Sequence, residues 1–126
     1  MEFKIKTDRE AYNLEAFVKR IGQDLLVVIW GGERPHIGAV AVAQPRPSLK
    51  DHRLTSATAS VFCYPGHKDD IIAKEAAEKI SSALNINVTV TAGMHWEGID
   101  EGGIKDVIAN SRHLVKMIIE RIATKE

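Results

Sequence analysis

The chain has 126 residues, 17 basic and 17 acidic, and one cysteine. A chain of this length forms one domain and buries roughly two thirds of its unfolded surface without help from a disulfide or a metal. Balanced charge excludes the basic footprint of a nucleic-acid binder, a lone Cys63 excludes an internal disulfide, and the longest dense apolar run, residues 25–30, is too short to span a bilayer.

Phe3, Ile5 and Thr7 alternate with Glu2, Lys4 and Lys6, the spacing of a strand with one wet face. This opening has no apolar stretch of the signal-peptide kind, so a soluble, cytoplasmic protein is expected. Residues 12–21 satisfy two periods: Tyr12, Leu14, Ala16 and Val18 alternate as a strand, while Leu14, Phe17, Val18 and Ile21 also fit a helix. The strand is favoured because Gly22-Gln23-Asp24 then turns into the next run. Residues 25–30 and 37–43 are apolar on both parities and predict central strands covered on both faces; the small residues of the second imply close packing against it. Residues 44–53, with Pro45 and Pro47, read as a loop.

Residues 55–64 predict a strand with Ala57, Ala59, Val61 and Cys63 on one side and Thr58, Ser60, Phe62 and Tyr64 on the other. Residues 67–84 carry an apolar stripe at helical spacing, from Ile72 to Leu84, closed by Asn85. Ile86, Val88, Val90 and Ala92 alternate as a half-buried strand, and a last helix is expected over about 103–123. The predicted fold is a single α+β domain over residues 1–126: a mostly antiparallel sheet of about six strands, in β-β-β-β-β-α-β-α order, with two helices and one β-α-β crossover. Because Phe62 and Tyr64 oppose Val61 and Cys63, bulk lies on both faces and two helices are few to cover them; a homodimer is expected.

Three segments join a histidine to glycine where an apolar run stops: Trp30-Gly31-Gly32-Glu33-Arg34-Pro35-His36, Pro65-Gly66-His67-Lys68-Asp69-Asp70, and Gly93-Met94-His95-Trp96-Glu97. Taking residues 31–35 as a hairpin connection, and the crossover as giving parallel strands, all three fall at one end of the sheet. Gly66 at a helix start, with Lys68, suits an anion or else forms an ordinary strand-to-helix turn, where Asp69 and Asp70 suit the dipole. Gly31 and Gly32 allow close approach of a ligand, and Arg34 can clamp a phosphate or carboxylate; a capped hairpin with solvated charges is the plainer account. Met94 and Trp96 could sandwich a ring, or plug the end of the sheet against the last helix. His36, His67 and His95 could hold a divalent metal such as zinc with an open fourth position, with Glu33, Asp69 or Glu97 supporting it, although no compact metal motif is present. Cys63 reads as a packed thiol, and His52 and His113 as surface residues.

The run from Asp24 through Trp30-Gly31-Gly32-Glu33-Arg34-Pro35-His36-Ile37-Gly38 to Ala41 resembles the LpdD-like family of prenylated-flavin chaperones. Pro65-Gly66-His67-Lys68-Asp69-Asp70 before a helix and Ala92-Gly93-Met94-His95 after a strand share the resemblance, which covers most of the chain from about Leu25 onward. It implies a non-catalytic accessory protein that holds or delivers prenylated FMN, or FMN, for a UbiD-type hydroxyarylic-acid decarboxylase subunit. The element order is also similar to that of small proteasome-assembly chaperones, which tend to pair. On this reading Arg34, Gly66 and Lys68 meet the phosphate, Met94 and Trp96 the ring, and Gly31, Gly32, His36, His67 and His95 complete the site. A small metal-dependent enzyme using His36, His67 and His95, and an assembly module without a ligand, are the competing expectations.

Overall fold

The computed structural model describes residues 1–64 and 69–125. Its elements are β1 (Glu2–Lys6), β2 (Leu14–Ile21), β3 (Asp24–Gly32), β4 (Ala39–Pro47), β5 (Thr55–Cys63), α1 (Asp69–Leu84), β6 (Val88–His95) and α2 (Glu101–Lys125). The six strands form one sheet in the order β1-β2-β3-β6-β4-β5, antiparallel except for β3 beside β6. The α+β class and the element order agree with the sequence reading, and the ambiguous stretch after Tyr12 is a strand between β1 and β3.

The core lies on one face of this sheet. Phe3, Val18, Val27, Val90 and Ala41 stand opposite one another across five strands, so their side chains share a side. α1 covers β4, β5 and β6, and α2 packs on β2, β1 and α1. Ala39, Ala41 and Ala43 meet Ala73, Ala76 and Ala77 of α1 in the buried cluster, and small residues on both partners let helix and sheet approach closely. Leu114, Ile118 and Ile122 extend the same cluster along α2. Asp100 starts α2 by accepting the Gly103 N–H at 2.7 Å, an N-cap that advances the helix to Glu101. Asn85, at φ 56°, ends α1 as expected.

Three expectations are corrected. β3 and β4 are not a hairpin: β6 lies between them, and the connection from Gly31 crosses over its end. Their apolar residues on both parities do not mean two covers; Val28 and Val40 face the side without helices and are half-buried, and Val42 there is exposed. Pro45 and Pro47 belong to β4 rather than to a loop. The β4–β6 ladder runs only over Ala39–Ala43, so both prolines pair with β5 where the other side of β4 has no neighbour, a place that tolerates a missing N–H.

Candidate functional site

β3 and β6 end side by side, with Gly31 opposite Met94 and Gly32 opposite His95. The chain then folds back across β6. The Glu33 N–H donates to the His95 carbonyl at 2.8 Å, and the Gly38 N–H to the Ala92 carbonyl at 2.9 Å. Between these two bonds His36 passes directly over Gly93, where a Cβ would run into the His36 carbonyl. Glycine at 93 is therefore a requirement of backbone crossing. Gly32, at φ 84°, adopts a conformation that a side chain disfavours, and a Cβ there would meet the His95 carbonyl.

The crossing loop delivers His36 to Asp69, the first residue of α1. His36 Nε2 lies 3.1 Å from Asp69 Oδ2, and His36 Nδ1 lies 2.9 Å from the Arg34 carbonyl. The imidazole thus bridges the Arg34 carbonyl and the Asp69 carboxylate. Asp69 is only 5% exposed, and its Oδ1 accepts the Met94 N–H at 3.4 Å. One carboxylate thus ties the start of α1, the crossing loop and the end of β6. Gly38 makes room for it, since a Cβ there would enter the Asp69 carboxylate.

Beside this clamp lies a cavity of about 380 Å³, lined by Asp69, Ile71 and Ile72 of α1, Met94 and His95 at the end of β6, Trp96 and Ile99 in the connection that follows, and Ile104, Val107 and Ile108 of α2. Its wall is mainly aliphatic and thioether, with one indole and one imidazole. Trp96 is braced from behind by Tyr12, ring edge to ring face, with centroids 5.3 Å apart and planes at 77°. Tyr12 is itself held at φ 58° by Asn110 of α2, whose Nδ2 donates to the Ala11 and Tyr12 carbonyls at 2.9 and 2.8 Å. At the rim, His95 Nε2 lies 3.2 Å from Glu97 Oε2, and Arg34 reaches the same oxygen at 4.0 Å with its guanidinium still largely in solvent.

Met94, His95 and Trp96 share the cavity wall, and Arg34 stands at its rim. A Cβ at Gly31 would meet Leu14 and the Asn13 carbonyl, one at Gly32 the His95 carbonyl, and both glycines line a second hollow beside Trp30 and Pro35, apart from the Met94–Trp96 wall. His36 sits in the clamp with Asp69, apart from His95, which pairs with Glu97. Gly66, His67 and Lys68 lie outside the described residues. Among the described residues no three metal-binding side chains converge.

Sequence reasoning did not foresee the central place of Asp69, which it read as a helix-dipole residue or a helper of a metal. It also passed over Tyr12, Asn110 and the isoleucine wall. Ile71 carried a usable signal: it is apolar, falls off the stripe that packs α1 on the sheet, and is half-exposed at the cavity.

Comparison with known proteins agrees with this architecture. The chain is 31% identical over 119 residues to Protein LpdD of Lactiplantibacillus plantarum, covering 90% of this chain and 79% of that protein. It superposes on a chain from the crystal structure of a chaperone complex for yeast 20S proteasome assembly with a TM-score of 0.56, over 98% of this chain and 96% of the other. At 16% identity that likeness concerns the fold alone. Residues 8–123 match the model of the prenylated flavin chaperone LpdD-like domain, and the chain belongs to that family.

Proposed function

We propose that this protein is a non-catalytic accessory chaperone that holds or delivers prenylated FMN for a UbiD-type decarboxylase subunit, working in the cytoplasm as a homodimer. The observation that carries the ligand part is the cavity at the end of β6. It has the size of a small-ligand site and an aliphatic wall, with Met94 and Trp96 side by side. Such a wall suits a flat ring and an isoprenoid-derived adduct, which gain from leaving water. The phosphate would lie toward Arg34 rather than toward Asp69, because a guanidinium donates two parallel hydrogen bonds whereas a buried carboxylate repels an anion. Bound there, the flavin would be stored or handed on; its chemistry belongs to the partner enzyme. Family membership supports the chaperone role. Helices on only one face of the sheet, with Val42 and Phe62 bare on the other, support pairing.

Titration with FMN and with prenylated FMN, followed by flavin absorbance and tryptophan fluorescence, tests this reading. Saturable binding is expected, with a rise in melting temperature, since a ligand that binds only the native state stabilises it. Trp96→Leu weakens binding by about tenfold, the factor given by ~1.4 kcal/mol of lost stacking and burial. Trp30→Phe leaves it unchanged, because Trp30 lies on the open sheet face bonded to Glu15. Absence of binding of either flavin to folded protein at high micromolar concentration would overturn the ligand part.

A further inference from the structure

The two edges of the sheet are treated differently. β1 is five residues long and carries Glu2, Lys4 and Lys6, charges that discourage a neighbouring strand. β5 is nine residues long and has no charge, no proline and no glycine. Natural edges of that length are normally guarded.

The backbone of β5 is also set to accept a partner. The Tyr64 N–H donates to the Gly38 carbonyl at 2.9 Å and the Ser48 N–H to the Leu54 carbonyl at 2.8 Å, and both bonds continue the β4–β5 register. In an antiparallel ladder the bonded positions alternate. The even-numbered residues of β5 therefore bond to β4, and Ala57, Ala59 and Val61 turn their N–H and C=O groups outward along the edge. Exposed apolar side chains crowd the same place: Phe62 is 63% exposed, Tyr64 50% and Val42, on the adjacent strand, 54%.

We infer that β5 is the interface through which two copies of this chain pair, edge to edge and antiparallel about a twofold axis near Ala59. The pairing deepens the homodimer proposed above and rests on it. A charge-free strand does not repel its own copy. A twofold contact closes on itself, whereas β5 against the charged β1 of another copy would run on as an open chain. Centred on Ala59, the register sets Phe62 opposite Ser56 and Val61 opposite Ala57, so each large side chain meets a small one. The result is a continuous sheet of twice six strands with β1 at both outer edges.

Light scattering across a concentration series reads the outcome. The wild-type chain is expected at twice its 13.9 kDa mass. Ala59→Pro removes an outward N–H while leaving the β4 bonds in place, and Val61→Lys adds an edge charge; each should raise the dimer dissociation constant by at least about tenfold with the circular dichroism spectrum retained. Should Ala59→Pro fail to fold, Val61→Lys decides. Val28→Lys, on the open sheet face away from this edge, should leave the pair intact. A wild-type monomer at every concentration would overturn both the pairing and its interface. A dimer split by Val28→Lys but not by the edge variants would keep the pairing and overturn the edge, as would open-ended assemblies.

Discussion

The two ends of the sheet are closed by different means. Where β3 and β6 finish, the backbone passes over itself at Gly93, and His36, Asp69 and the Met94 amide lock the crossing. At the other end, Gly22 makes the β2–β3 turn at φ 61° with nothing near its absent side chain, and the β4–β5 connection leaves Leu49 bare and ties Asp51 to Arg53 in solvent. One end needs glycine for space, the other only for a dihedral angle. The crowded end ties a cavity wall to a buried carboxylate, whereas the open end merely reverses the chain. Candidate chemistry gathers where three elements are bolted to one buried carboxylate.

Substitutions at the two ends test that contrast directly. Gly93→Ala should be the most damaging change, costing about 3 kcal/mol or more in urea denaturation, because the clash is with backbone that cannot step aside. Asp69→Ala comes next. It leaves the Met94 N–H and His36 without their acceptor and should cost about 2 kcal/mol, with weakened flavin binding as the cavity wall loosens. Asn110→Ala unpairs the Ala11 and Tyr12 carbonyls and should cost about 1–2 kcal/mol, with a change in Trp96 emission as Tyr12 relaxes. Gly22→Ala should cost only about 1 kcal/mol, the penalty of a positive φ in open space. Glu97→Gln should stay within about 0.5 kcal/mol in stability, since its partners are exposed. Equal losses at Gly22 and Gly93 would erase the distinction between the ends.

Much of the fold could be read from the chain. Strict alternation in Phe3–Ile5 and Val88–Val90 and the stripe of α1 announce themselves within one element. The insertion of β6 between β3 and β4 could not be read the same way, because it depends on pairing Val27 with Val90, residues far apart in the chain. Pro45 and Pro47 misled for a similar reason: a proline breaks a strand only where its N–H is needed, and that depends on where β6 stops. At the site, the segments around His36 and His95 lie together at one end of the sheet, whereas His67 lies outside the described residues. The roles diverged: Met94, His95 and Trp96 face the cavity, while His36 is spent on Asp69.

The amino-acid order alone indicated where most strands and both helices lie, because their apolar patterns repeat over two or four residues and need no distant partner; the C-terminal part of β4 was the exception. Strand order, the single covered face, the unguarded β5 edge and the clamp on Asp69 were decided only by the tertiary structure. Each depends on groups brought together from far along the chain, as His36 and Asp69 are across 33 positions, and no local period encodes such a meeting.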